Sequence, residues 1–195
     1  MIQYGLISKV DSGVLEKTID LICEEFTSGL INVTEVGCYG GDTGKGLCEY
    51  IKSKGRDCWI TGIDNNKDGE TIRFSYDKMI CGNSNEVYNQ LEDESQHLIV
   101  QDANHSYPNV VQDFFCYMRK VKRGGYMWWH DVAPHAQGND WQRMGDKNDK
   151  DMFISVRKAL TDIGLFDNKF EGWEFVMEDA DLNDAGGGCA VFRRI

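Results

Sequence analysis

Apolar positions along the chain recur with two periods. Over residues 12–26, Leu15, Ile19, Ile22, Cys23 and Phe26 return at helical spacing with Glu16, Lys17, Asp20 and Glu24 between them, which predicts a helix with one buried stripe. Gly29 and Asn32 interrupt it, and the short run Val33–Val36 reads as a strand. The strand empties into Gly37-Cys38-Tyr39-Gly40-Gly41. From Thr43 helical spacing resumes, burying Leu47, Cys48 and Ile51 before Gly55 ends it. The stretch Asn32–Lys45 is therefore a strand, a glycine-rich turn and a helix. Its glycines stand where a backbone turns sharply or admits a ligand, and the first turn of its helix offers unpaired N–H groups.

The pattern continues downstream. Cys58–Asp64 and Met79–Cys81 are the second and third strands, with Ser84 capping a short helix through Leu91. Residues 70–78 alternate at Ile72, Phe74 and Tyr76 and also fit a helical turn. His97–Asp102 is the fourth strand. Pro108 opens a helix whose Val110, Val111, Phe114, Phe115 and Met118 share an apolar face that ends by Gly124-Gly125. Tyr126–Asp131 is the fifth strand, apolar on both faces, with Trp128-Trp129 read as core. Residues 133–150 form a polar loop in which Trp141 and Arg143 are candidates to cover an acceptor. A helix from Asp151 buries Phe153, Val156, Leu160 and Ile163. Trp173–Met177 and Cys189–Arg193 are expected to pair as an antiparallel hairpin. Strands alternating with helices predict an α/β fold, a mostly parallel sheet with helices on both faces.

Composition narrows the partners. With 195 residues, 41% of them hydrophobic, the expectation is a single domain over 1–195. No apolar run reaches the roughly 18 residues of a membrane span, and Met1-Ile2-Gln3-Tyr4 has no basic leader, so a cytoplasmic protein off the membrane is expected. Seven cysteines without a CxxC pair read as small buried hydrophobes. A net charge of −11 argues against nucleic acid, because such binding draws on Lys and Arg. The cluster Arg119-Lys120-Val121-Lys122-Arg123 is placed at a helix end, where the dipole favours cations. A small-molecule substrate is the better partner.

Four strand ends carry chemistry: Glu35 to Gly41, Asp64, Asp102, and His130-Asp131. In an open α/β sheet that edge is where ligands sit. Asp64 stands in the range of a carboxylate accepting both ribose hydroxyls. A dinucleotide turn would place small residues where Tyr39 and Asp42 stand, and an acid beside a pyrophosphate is costly. A cofactor with a cationic amino-acid end, such as S-adenosylmethionine, fits better, while an NAD-binding oxidoreductase stays open.

Glu35-Val36-Gly37-Cys38-Tyr39-Gly40-Gly41-Asp42-Thr43, Gly62-Ile63-Asp64, Gly82-Asn83-Ser84, Asp102-Ala103-Asn104-His105-Ser106-Tyr107 and Gly124-Gly125 leading to His130-Asp131 form an ordered set. They resemble the motifs of class I S-adenosylmethionine-dependent methyltransferases. The closest resemblance is to methyltransferase family 24, a small-molecule O-methyltransferase branch related to the cephalosporin hydroxylase and macrocin O-methyltransferase groups. The resemblance implies a Rossmann-like, seven-stranded sheet with an antiparallel C-terminal strand. It also implies O-methylation of a small hydroxylated acceptor, a sugar or a secondary metabolite. By position, Glu35, Gly37 and Gly41 would face the methionine portion, Asp64 the ribose, and Asn83 with Ser84 the adenine. Tyr39, Thr43, Asn65 and Asp102 complete the cofactor set. Tyr39 replaces the commoner small residue, and Gln101 replaces an apolar one.

The same resemblance places a divalent metal, Mg²⁺ or Mn²⁺, on Asp102, His130 and Asp131, since two carboxylates on adjacent strands repel without a cation between them. His130 competes for a second role, general base, with His105 as the other candidate and Asp131 beside them. His97 and His135 are read as structural. A homo-oligomer, a binding-only relative and a hydroxylase-like relative stay open.

Overall fold

The computed structural model describes Tyr4, residues 7–65, Phe74, and residues 76–133, 152–179 and 187–195. The chain runs α1 (Lys9–Glu25), β1 (Ile31–Val36), α2 (Asp42–Ser53), β2 (Cys58–Asp64), β3 (Lys78–Cys81), α3 (Ser84–Val87), β4 (Gln96–Gln101), α4 (Tyr107–Tyr117), β5 (Val121–His130), α5 (Met152–Ile163), β6 (Trp173–Asp179) and β7 (Cys189–Arg194). These strands form one sheet in the order β3-β2-β1-β4-β5-β7-β6. β1 to β5 pair in parallel with one another, and β7 runs antiparallel to both β5 and β6. Strand order reverses between β1 and β4, which opens the crevice at their carboxyl ends.

Alternation along the strands sorts the core into two layers. Ile31, Val33, Ile60, Leu98, Val100, Tyr126 and Trp128 face α1 and α2, packing on Leu15, Ile19, Ile22, Leu47 and Ile51. Val36, Ile63, Ile99, Met127, Trp129 and Phe192 face α4 and α5, packing on Val110, Phe114, Tyr117, Val156 and Leu160. Helices thus cover both faces, as expected, and both tryptophans are core. The same period carries Glu35, Asp64, Asp102 and His130 onto the face covered by α1 and α2.

Four local expectations change. Helix α1 starts at Lys9 rather than residue 12, because Ser8 caps it by accepting the Asp11 N–H. Helix α4 stops at Tyr117, and β5 begins at Val121, where Val121 pairs with Gln96, so Val121 to Arg123 are strand rather than helix end. Lys120 is bonded to Asp93 at 2.6 Å, which holds that cation in the turn. Ser84 is the first residue of α3 rather than its cap. Asn83 takes the cap position, because the Ser84 hydroxyl donates to the Asp113 carboxylate at 2.7 and 2.9 Å. The short helix through Leu91 is one turn of α-helix followed by a 3₁₀ turn, Tyr88–Gln90.

His97 is structural as expected: it is buried, and its Nδ1 accepts the Asn32 N–H at 2.9 Å. Burial pulls its pKa down to about 4. His135, Trp141 and Arg143, most of the 133–150 loop, and residues 70–73 and 75 lie outside the described residues. No described helix is long and apolar enough to cross a membrane.

Candidate active site

The turn after β1 is tied to both neighbouring strands. The Gly37 N–H donates to the Ile63 carbonyl at 2.9 Å, and the Asp102 N–H donates to the Val36 carbonyl at 2.9 Å. Gly37 has φ 89°, and a Cβ there would overlap the Asp102 carbonyl oxygen and stand 2.8 Å from Ala103 Cα. Only glycine lets the turn lie across the end of β4. Asp64 Oδ2 accepts the Cys38 and Tyr39 amides at 2.8 and 3.1 Å, so the predicted ribose acid also shapes the turn. Tyr39 itself is 71% exposed with φ 45°, and Gly41 caps α2. The Thr43 hydroxyl donates to the Tyr4 carbonyl at 3.3 Å.

Glu35 lies beneath this turn. It is 2% exposed, and the Tyr76 hydroxyl donates to its Oε2 at 2.6 Å. Burial pushes its carboxyl up to about 8, an effect that the Tyr76 and Gly44 hydrogen bonds moderate. The sequence around Tyr76 does not mark it, since the period of that stretch is ambiguous. On the other flank the Gly82 N–H donates to the Asp64 carbonyl at 2.9 Å, which brings exposed Asn65 and Asn83 beside the end of β2. Asp113 and Tyr117 hold Ser84 from below, Tyr117 donating to the Ser84 carbonyl at 2.9 Å.

The second half of the site stands at the ends of β4 and β5. Gln101 pairs with Trp129, so Asp102 and His130 leave neighbouring strands side by side. His130 Nδ1 is 3.3 Å from Asp102 Oδ1 and 3.5 Å from Asp131 Oδ2. His105, from the turn before α4, places Nε2 3.4 Å from Asp102 Oδ1 and 3.1 Å from Asp131 Oδ2. The three residues Asp102, His105 and Asp131 bring one ligand atom each within 4.8 Å of one another. Among the described residues this group can hold a metal, and His130, the imidazole expected there, faces the same two carboxylates. Two carboxylates and an imidazole fit a divalent cation, and the nitrogen suits Mn²⁺ or Fe²⁺ better than Mg²⁺.

Electrostatics match this crowding. Burial alone would push the Asp102 carboxyl up, but His130 and His105 together hold it well below the ordinary carboxylate range. Burial also disfavours charge on both imidazoles, yet the facing carboxylates raise His105, and raise His130 well above the usual histidine value.

Two further contributors, Gly187 and Asp11, carry no sequence signal of a site. Asp131 adopts φ 58°, and Gly187 packs flat against its carboxylate, where a Cβ would overlap Oδ1. The Ala133 N–H donates to the Gly187 carbonyl at 2.8 Å, so the return of the chain before β7 walls the site. Asp11, from α1, is 1% exposed, and its Oδ2 lies 3.5 Å from His130 Nε2. Nothing in a lone acid on an amphipathic helix marks it as part of a strand-end cluster.

This strand order, with its glycine turn and acidic strand ends, is the architecture of class I S-adenosylmethionine-dependent methyltransferases. A family model described as a methyltransferase domain matches residues 34–132, and the chain belongs to that family, methyltransferase family 24. No curated protein matches the sequence. Among solved structures, one similar fold is a putative caffeoyl-CoA O-methyltransferase from Staphylococcus aureus. It has 17% identity and a TM-score of 0.69, over 98% of this chain and 86% of that one. The O-methyltransferase TomG from Streptomyces achromogenes, involved in tomaymycin synthesis and solved with S-adenosylmethionine, has 11% identity and a TM-score of 0.59, over 93% and 79%. The MycE methyltransferase of the mycinamycin pathway, solved with Mg and S-adenosylhomocysteine, has 16% identity and a TM-score of 0.54, over 90% of this chain and 48% of its own.

Proposed function

We propose that this methyltransferase transfers the methyl group of S-adenosylmethionine to the hydroxyl of a small acceptor, a sugar or secondary metabolite, with Asp102, His105 and Asp131 holding a divalent cation. The observation that carries the reading is the convergence of those three residues within 4.8 Å beside the Gly37 turn. The similar structures solved with S-adenosylmethionine, or with Mg and S-adenosylhomocysteine, support the same assignment.

The Gly37 turn and Asp64 would hold the methionine and ribose parts of the cofactor, with Gly41, Tyr39, Thr43 and Asn65 around them, and Asn83 and Ser84 would border the adenine. Bound there, S-adenosylmethionine supplies a methyl group on a sulfonium leaving group. A cation on the carboxylate pair would supply Lewis acidity, lowering the pKa of the acceptor hydroxyl. Asp102 and Asp131 would supply the oxygen ligands of that cation. His130, with Nδ1 3.3 Å from Asp102, is assigned the acceptor proton, which it takes in its neutral form. The fixed strand ends position the groups, so orientation contributes much of the rate.

The test is incubation with S-adenosylmethionine and a panel of catechols, sugars and hydroxylated macrolides, with Mn²⁺, with Mg²⁺ and with chelator. Formation of S-adenosylhomocysteine together with an O-methylated product, falling on chelation, is the expected result. Turnover that survives exhaustive chelation removes the cation from the mechanism. Methylation confined to nitrogen or carbon acceptors overturns the O-methyltransferase assignment.

A further inference from the structure

Asp11 is the member of the chemical centre that no strand end announces. It occupies the third position of α1, where the Ser8 hydroxyl donates to its Oδ2 at 2.9 Å and accepts its N–H at 3.0 Å. Reciprocal pairs of this kind cap many helices with the acid in solvent. Here the carboxylate is 1% exposed and turned toward the end of β5 and the start of β7, with the Cys189 thiol beside it. A carboxylate withdrawn from water needs donors. Its Oδ1 has no hydrogen bond among the described residues, and neither has His130 Nε2, which is buried and 3.5 Å from Asp11 Oδ2.

The rest of the imidazole is fixed from two sides. Trp128, two residues earlier on the same face of β5, stacks on the ring at 5.4 Å between centroids and 11° between planes. The opposite nitrogen, Nδ1, looks onto Asp102 Oδ1 at 3.3 Å. Both ring nitrogens face a carboxylate, so in the neutral imidazole Asp11 and Asp102 compete for the single N–H, and a proton kept on Nε2 leaves Nδ1 free to act at the centre.

We propose that Asp11 is a positioning residue that accepts the Nε2 proton of His130, holding the ring so that Nδ1 is the nitrogen presented to Asp102 and the chemical centre. The catalytic consequence rests on the reading of His130 as the group that takes the acceptor proton; the hydrogen bond itself does not. Asp11 thereby couples the start of α1 to the end of β5, which sequence distance gives no reason to expect.

Long-range ¹H–¹⁵N correlation of the full chain labelled at histidine nitrogens tests this, with His130 assigned by its disappearance in His130→Gln. The wild type is expected to show a protonated Nε2 whose hydrogen exchanges slowly with water. Asp11→Ala is expected to lose that protection and to mix the two tautomers. Asp11→Asn, which keeps an acceptor oxygen, is expected to restore much of it. A wild-type ring with a bare Nε2 overturns the proposal without any variant, and so does a protected Nε2–H that survives Asp11→Ala. Titration of S-adenosylhomocysteine into the same wild-type sample separates the two readings. Absent binding sinks the methyltransferase reading, whereas normal binding with an unchanged His130 ring in Asp11→Ala sinks the role of Asp11.

Discussion

His105 Nε2 lies 3.1 Å from Asp131 Oδ2, although one residue belongs to the turn before α4 and the other follows β5. The same nitrogen is 3.4 Å from Asp102 Oδ1, and Asp102, His105 and Asp131 each bring a ligand atom within 4.8 Å of one another, which makes His105 the imidazole expected to bind the cation. His105→Ala is expected to weaken Mn²⁺ binding at least about tenfold, the scale on which metal sites respond to lost partners. His130→Ala should leave Mn²⁺ affinity near that of the wild type while lowering turnover. Isothermal titration with MnCl₂ measures both. Equal loss in the two variants would restore the set Asp102, His130 and Asp131.

Glycines at two sites should respond with opposite signs. Gly37→Ala forces a side chain into φ 89° and against the Asp102 carbonyl, and is expected to cost about 1–3 kcal/mol in urea unfolding. Gly13, inside α1, has open space around a would-be Cβ. Gly13→Ala should therefore stabilise by about 0.5–1 kcal/mol, because alanine loses less backbone freedom in a helix.

Glu35 predicts a pH dependence of stability. Its carboxyl titrates near 4.5 when unperturbed and is pushed up to about 8 by burial in the fold. Between those values the folded chain holds a proton that the unfolded chain has lost, so this contribution is full below about 4.5 and is lost as pH rises through 8. Glu35→Gln, uncharged at every pH, removes it. Wild type should lose more stability than the variant between pH 5 and 8, by on the order of a few kcal/mol, in urea titrations across that range. Parallel pH curves for the two proteins would contradict the buried placement of Glu35.

Ser84 is expected to matter for stability as well as for the cofactor. Its hydroxyl is directed at Asp113, which is 2% exposed and whose carboxyl burial pushes up to about 6. Ser84→Ala leaves that buried acid short of a donor and should cost about 1–3 kcal/mol at neutral pH. Ser84→Thr, which keeps the hydroxyl, should recover part of the loss. Thermal melts of both variants decide it.

How much of this was legible in the sequence varied with how local its cause was. Leu98 to Val100 and Tyr126 to Trp129 are continuous apolar runs because each strand is covered on both faces, and the acids that follow them therefore marked the site edge. The beginning of β5 is hidden because Val121, Lys122 and Arg123 mix one buried residue with a half-buried and an exposed cation, a pattern that also suits a helix end. Ser84 reads as a cap until Asp113, on another helix, draws its hydroxyl inward. The choice between His105 and His130 depends on which way two rings point, and strand position does not determine that. Asp11 and Gly187 reach the site only through the packing of both ends of the chain against β5.

The most direct test of the account is calorimetric titration of S-adenosylhomocysteine into the folded wild-type chain. One saturable site per chain is expected, with affinity reduced in Gly37→Ala, where the turn beside Asp102 is displaced. No binding to a folded wild type, or saturable binding of NAD in its place, would contradict it.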